Sequence, residues 1–252
     1  MTDTLRSCII AEQGYTFLSL DASQIELRVL AILSKDPQML ADLATGDLHL
    51  ASAIRISQLR GEDQDWVTNP DKEAEKKKRR YDAKQCNFAI VYGAESFKLS
   101  QMMECTEEEA QQFMDEHRRA YPVLYAWMDA EKVIAKELGY VLTLFNRKRP
   151  LPELYAGSRS IREKAEREIV NTKIQGTAID IVKLAMLYMR RILDKSIRLV
   201  LNVHDEMVFE VPDGLLEQAL ELSKELKEAF PDYPFKPQIG KVYGELKEYS
   251  YE

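Results

Sequence analysis

The sequence predicts an α+β protein, a small antiparallel sheet with a separate and larger helical region. Three observations carry that reading. Residues 198–211 alternate apolar side chains (Leu199, Leu201, Val203, then Met207, Phe209, Val211) on both sides of a charged centre, the period-two pattern of a hairpin with one buried face. Residues 15–21 alternate in the same way, with Leu18 and Leu20 on one face and Phe17, Ser19 and Asp21 on the other. Helical periodicity dominates much of the remainder, over about 76–92, 106–138 and 158–193. With 252 residues, 45% of them hydrophobic, the chain can bury a substantial core, as one large domain or two interleaved ones.

The centre of the hairpin, His204-Asp205-Glu206, is poor turn chemistry, because tight hairpins favour Asn, Asp or Gly where φ must be positive. Acidic residues at the tip of an apolar hairpin are held rigidly, which suits a site; the plainer reading is a solvated turn. Earlier in the chain Asp21 sits at a strand exit. Ser23 with Glu26 forms a capping-box pattern for a helix that Ser34-Lys-Asp-Pro37 ends. Asp47-Leu-His49 opens another helix, and residues 60–78 read as a polar excursion leading into a helix over 76–92.

Projected at 100° per residue, that helix places Arg80, Lys84, Asn87, Phe88 and Val91 on one side and Ala83, Cys86, Ala89 and Ile90 on the other. An exposed row of two cations, an amide and a ring suits a nucleoside triphosphate; Phe88 as ordinary core is the competing reading. Two helices follow, the first capped by Thr106 with Glu109, the second after Pro122 and closed by Gly139. Residues 140–145 are strand-like and feed the basic loop 146–152. In the long helix at 158–193, Arg167, Asn171 and Gln175 recur every four residues as a polar stripe able to follow a nucleic-acid strand, and Gly176 interrupts the run, which would let a backbone approach closely. A helix over 215–230 and a short strand over 237–242 complete the chain.

The formal net charge of −7 argues weakly against nucleic acid, but charge is segregated. Basic runs lie at 76–80, 147–149 and along Arg159, Arg162, Lys164 and Arg167, although each alone also reads as a solvated helix face. The three cysteines have no metal-type spacing and read as reduced thiols. No apolar run reaches the ~18 residues of a membrane span and the N-terminus lacks a signal-type segment, so a cytoplasmic protein with no membrane partner is expected.

Asp21-Ala-Ser-Gln-Ile-Glu-Leu-Arg28, the run from Arg80 through Lys84, Asn87, Phe88 and Tyr92 to Gly93, and Val203-His-Asp-Glu206 resemble, in order, the three motifs of family A DNA polymerases. Asn171-x-x-x-Gln175-Gly-Thr-Ala and the Asp47-Leu-His49 segment are similar to further signatures of that family. The resemblance implies palm and fingers without a thumb, with residues 1–34 and 138–252 as palm and 35–137 as fingers. Departures are Ala22 where Tyr is usual, Lys173 where Pro is usual, and Asn146 where Gly is common.

By that resemblance Asp21 and Asp205 would bind two Mg²⁺ ions, with Mn²⁺ as a substitute, and Glu206 would assist. Arg80 and Lys84 would hold the triphosphate of an incoming deoxynucleotide, with Lys84 protonating the leaving pyrophosphate. Phe88 and Tyr92 would wall the sugar and base, Glu26 with Gln24 would line the nucleotide site and exclude a 2′-hydroxyl, and His49 would contact the triphosphate. His204, Arg167, Asn171 and Gln175 would hold primer-template DNA. The expected activity is template-directed DNA synthesis with low processivity. The alternative is a catalytically silent DNA-binding fragment, or half of a split polymerase that needs an N-terminal part in trans; a metal-dependent nuclease would leave the helix at 76–92 without a purpose.

Overall fold

The computed structural model describes residues 3–91 and 93–251. In chain order the elements are α1 (Asp3–Arg6), β1 (Tyr15–Ala22), α2 (Ile25–Ser34), α3 (Pro37–Ala44), α4 (Leu48–Leu59), α5 (Asp65–Thr68), α6 (Glu73–Val91), α7 (Ser96–Met103), α8 (Glu107–Ala120), α9 (Pro122–Leu138), β2 (Tyr140–Leu142), β3 (Lys148–Pro150), α10 (Arg159–Ile192), β4 (Arg198–Val203), β5 (Glu206–Pro212), α11 (Leu216–Ser223), α12 (Glu225–Ala229), β6 (Phe235–Gly240) and β7 (Lys247–Glu248). The α+β expectation holds. Among the described residues no helix is long and apolar enough to cross a membrane.

Two compact units emerge, Met1–Ile25 with Ala178–Glu252, and Glu26–Thr177. The second unit takes in the β2–β3 hairpin and the first half of α10, which pack together and bury Val141, Leu151, Ala165 and Ile169.

The first unit is built on an antiparallel sheet in the order β4-β5-β1-β6-β7. Leu18 and Leu20 of β1 are fully buried, each contributing about 1.5–3 kcal/mol by leaving water. The predicted hairpin forms as β4 and β5, but β5 is buried on both faces and not one, because it lies inside the sheet between β4 and β1. Strand β4 is the exposed edge, with a register shift between Leu199 and Leu201. The last expected strand is shifted to Phe235–Gly240 and pairs with β1. Residues 215–230 form α11 and α12 with a break at Lys224.

The second unit is helical, and its caps follow local chemistry. Asp36 accepts from the Gln38 and Met39 N–H groups ahead of Pro37 at the start of α3, Thr106 and Glu109 form the expected capping box of α8, and Gly139 at φ 73° ends α9. The polar excursion at 60–78 contains short α5, whose Trp66 is buried, donates to Ser57 Oγ at 3.2 Å and lies beneath the Arg79 guanidinium at 5.0 Å. Gly176 leaves α10 unbroken; a Cβ there would stand 2.7 Å from Thr143 Cγ2, and Arg147 Nη2 donates to the Gly176 carbonyl at 2.8 Å. Of the strand-like stretch 140–145 only Tyr140–Leu142 is strand, while Leu144 and Phe145 lie exposed. Cys8 is exposed, Cys105 is half-buried and Cys86 is in the core, where burial pushes its thiol pKa up.

Candidate active site

In the sheet unit the two motif aspartates meet. Asp21 is the penultimate residue of β1 and pairs in register with Glu206 on one side and Lys236 on the other. The Ala22 N–H donates to the Asp205 carbonyl at 3.1 Å, tying the β1 exit to the hairpin turn. Burial, reinforced by the Asp205 and Glu206 carboxylates, pushes Asp21 up to about 6 against the pull of Lys236 and Arg6. Burial also raises Asp205, with Glu206 adding to it and a backbone hydrogen bond and His204 opposing. Two carboxylates that resist ionisation side by side make a hard-oxygen donor pair for a divalent cation.

Glu206 is different. Its side chain is buried, Oε1 accepts from Ser19 Oγ at 2.5 Å, and Oε2 accepts from the Tyr243 hydroxyl. Both oxygens are therefore engaged inside the sheet unit. Among the described residues no group of three or more His, Cys, Asp or Glu side chains could hold a metal ion, so a cation here would draw further oxygens from substrate and water, as Mg²⁺ commonly does. His204 is exposed at the turn with φ 57° while Asp205 is not at positive φ, which excludes a type I′ turn; Asn202 Nδ2 braces the turn by donating to the Glu206 carbonyl at 3.1 Å.

In the helical unit a second cluster gathers His49, Arg80, Lys84 and Phe88. Arg80 Nε donates to Asp47 Oδ2 at 2.7 Å, and Asp47 also caps α4 through Leu50 N–H at 3.2 Å. Burial would raise Asp47, but those hydrogen bonds and the Arg80 charge prevail and hold it below the usual carboxylate range. Lys84 Nζ stands 5.8 Å from the Phe88 ring, which stands 5.8 Å from the His49 ring. Burial, then the charge of Arg80, lowers His49 to about 4, so the ring is neutral. Tyr92 lies outside the described residues.

Asn87 departs from its expected exposed position: only 2% exposed, it lies among α4 and α8 side chains, which cover that part of α6. The α10 stripe forms as predicted. Arg167 is exposed with Glu95 at 3.5 Å and packs over Gly93, where a Cβ would meet its Cβ and Cγ at 3.1 Å. Asn171 and Gln175 are half-buried, and Asn171 Oδ1 is a buried acceptor with no partner among the described residues. Gln24, at φ 53° immediately before α2, likewise has Oε1 buried and unpartnered, and Glu26 follows in the first turn of α2.

The profile of the family described as DNA polymerase family A matches residues 1–237. The chain belongs to DNA polymerase family A. Thermostable DNA polymerase I of Thermus aquaticus is 38% identical over 240 residues, 94% of this chain and 28% of that protein. DNA polymerase I of Pseudomonas aeruginosa is 37% identical over 221 residues, 86% of this chain and 23% of that protein. The solved POL domain of Pol1 from M. smegmatis, in complex with DNA primer-template and dNTP, superposes with a TM-score of 0.83 at 30% identity, covering 96% of this chain and 42% of that one. The chain thus spans about a quarter of the length of these polymerase I relatives. Four partner residues were not foreseen from its motifs: Asp47 on Arg80, Lys236 beside Asp21, and Ser19 and Tyr243 on Glu206. Only Asp47 had a local signal, as a helix cap; the others come from strand pairing and remote packing.

Proposed function

We propose that this chain catalyses template-directed addition of deoxynucleotides to a primer 3′ end. The observation that carries the reading is the meeting of Asp21 and Asp205, from remote segments of a family A chain, with Asp21 raised to about 6 by burial and by its acidic neighbours. Two divalent cations held by these carboxylates, Mg²⁺ with Mn²⁺ as substitute, would supply Lewis acidity to the reacting phosphate. The primer 3′-oxygen would bond to the α-phosphorus as the bond to the bridging oxygen breaks and pyrophosphate leaves.

Arg80 would exchange Asp47 for triphosphate oxygens, a swap favoured by the greater charge of the phosphates. Lys84 would neutralise the triphosphate and donate the proton that pyrophosphate takes up. Phe88, with Tyr92, would flank the sugar and base, and Gln24 and Glu26 would line the deoxyribose. Glu206 would act through the sheet, holding the hairpin with Ser19 and Tyr243. His204, Arg167, Asn171 and Gln175 would contact primer-template; the unpartnered Asn171 Oδ1 supports a hydrogen-bonding ligand there. Low processivity and a cytoplasmic setting in a bacterial or phage-infected cell belong to the same proposal.

The test is primer extension by the purified chain with Mg²⁺, and with Asp21→Ala and Asp205→Ala. Metal-dependent extension lost by about 10²–10³-fold in either variant is expected, the scale at which electrostatic stabilisation of a transition state is lost. Junction binding without extension, restored by an N-terminal polymerase part in trans, would replace this reading with the silent-fragment alternative. The chain's coverage of only 28% of the Thermus aquaticus enzyme makes that arm worth running.

A further inference from the structure

Behind the cationic cluster lies a chain of buried hydrogen bonds whose direction is fixed at its far end. The Asp42 carboxylate accepts from Arg55 Nη2 at 2.8 Å and Nε at 3.1 Å, and from the Tyr121 hydroxyl at 2.8 Å, so the Tyr121 proton is committed. The Ser52 hydroxyl donates to the Leu48 carbonyl at 2.8 Å and stands 2.9 Å from the Tyr121 oxygen, while Asn87 Oδ1, at 3.5 Å, is too far to compete for that proton. Ser52 Oγ therefore faces Asn87 as an acceptor, and Asn87 Nδ2 donates to it at 3.2 Å. The second Nδ2 hydrogen goes to His49 Nδ1 at 3.1 Å. Asn87 Oδ1 on the other side accepts from His117 Nε2 at 2.8 Å, leaving His117 Nδ1 to accept from the Tyr125 hydroxyl at 3.3 Å. Reversing the amide would set its carbonyl against Ser52 Oγ, whose proton the Leu48 carbonyl already takes at 2.8 Å.

We propose that Asn87 is a positioning residue of the nucleotide site: its amide fixes His49 as the tautomer with the proton on Nε2, ready to donate to a triphosphate oxygen. This rests on the reading that His49 contacts the triphosphate. With Nδ1 bound to an N–H donor, a neutral imidazole has its proton on Nε2 and offers a donor to an anion; the other tautomer would present a lone pair to it. Asn87 is only 2% exposed, so water does not substitute for the amide. His49 is thereby held on the first turn of α4, within the field of Arg80 and Lys84 and beside Phe88.

The whole chain, labelled with ¹⁵N-histidine, gives a readable spectrum because it holds three histidines. At pH 7.5 the wild type is expected to show His49 protonated at Nε2. In Asn87→Asp the side chain only accepts, so the His49 proton is expected on Nδ1, and the KM for dATP in primer extension should rise about 10-fold with a smaller change in kcat, the scale on which the orienting partner of a functional histidine acts. Should that variant not fold, Asn87→Leu is expected to release His49 into a mixture of tautomers with the same KM effect. A wild-type His49 protonated at Nδ1, or a tautomer unmoved by the folded variant, overturns the assignment. A tautomer that moves while KM stays constant overturns the positioning role. Failure of the wild type to bind dATP or extend primers, with the tautomers as stated, overturns the parent reading of His49 and leaves the amide assignment standing.

Discussion

Asp21 concentrates the physics of this protein in one carboxyl group. Its pKa of about 6 means that the ionised form is disfavoured in the fold, first by burial and then by Asp205 and Glu206. The contribution is unfavourable above pH 6 and vanishes as the pH falls below the ordinary carboxylate value of 3.8, where both states are protonated. Asp21→Asn should therefore stabilise the chain at pH 8 in the presence of a chelator, by on the order of 1–2 kcal/mol. Adding Mg²⁺ should raise the melting temperature of the wild type and leave the amide variant nearly unmoved. Calorimetry in both buffers checks this, and a variant less stable than wild type in the chelator would contradict it. The adjacent Glu206 warns against treating neighbouring acids alike. The motif implies that Asp205 binds metal and Glu206 assists it, yet Ser19 and Tyr243 take both Glu206 oxygens, and neither partner is near it in sequence.

Element by element, periodicity tells which residues share a face but not what covers that face. The hairpin, α8, α9 and α10 were legible because their signals are local: alternation, a capping box, a proline start, a glycine end. Asn87 was misjudged for the complementary reason. It shares a helix face with Arg80 and Lys84, but α4 and α8 pack over that turn and enclose the amide. The two-sided burial of β5 was hidden likewise, since its neighbour β1 comes from the other end of the chain. At Gly176 the expected close approach exists, but it is made by side chains of the β2–β3 turn and the helix runs on unbroken. Gly176→Ala would press a methyl group to 2.7 Å from Thr143 Cγ2, which sits on the β2–β3 turn and cannot retreat without shifting the hairpin. A loss of about 1–3 kcal/mol is expected from overpacking, read as a lower urea midpoint with an unchanged slope.

At the scale of the whole molecule, acid should unfold the protein through its interior histidines. Burial depresses His117 to about 3, and burial with Arg80 depresses His49 to about 4. Both lie below the ordinary value of 6.5, so the stability they confer is complete above that pH and is lost as the pH falls through 6.5 towards 4 and 3. By pH 5 the loss should be about 2 kcal/mol for each histidine, offset in part by Asp21, which works in the opposite sense over the same window. Urea melts at pH 7.5 and pH 5 measure it, and a His49→Gln, His117→Gln double variant should show a much flatter dependence. The division into two compact units also has a spectroscopic consequence. Both tryptophans, Trp66 and Trp127, belong to residues 26–177, whereas the exposed thiol Cys8 belongs to the sheet unit. Cys86 is sequestered in the core and Cys105 has a raised thiol pKa, so a maleimide fluorophore at mildly acidic pH would decorate Cys8 first. Intrinsic emission would then follow one unit and the dye the other, so a single sample could tell one concerted melt from two separate ones.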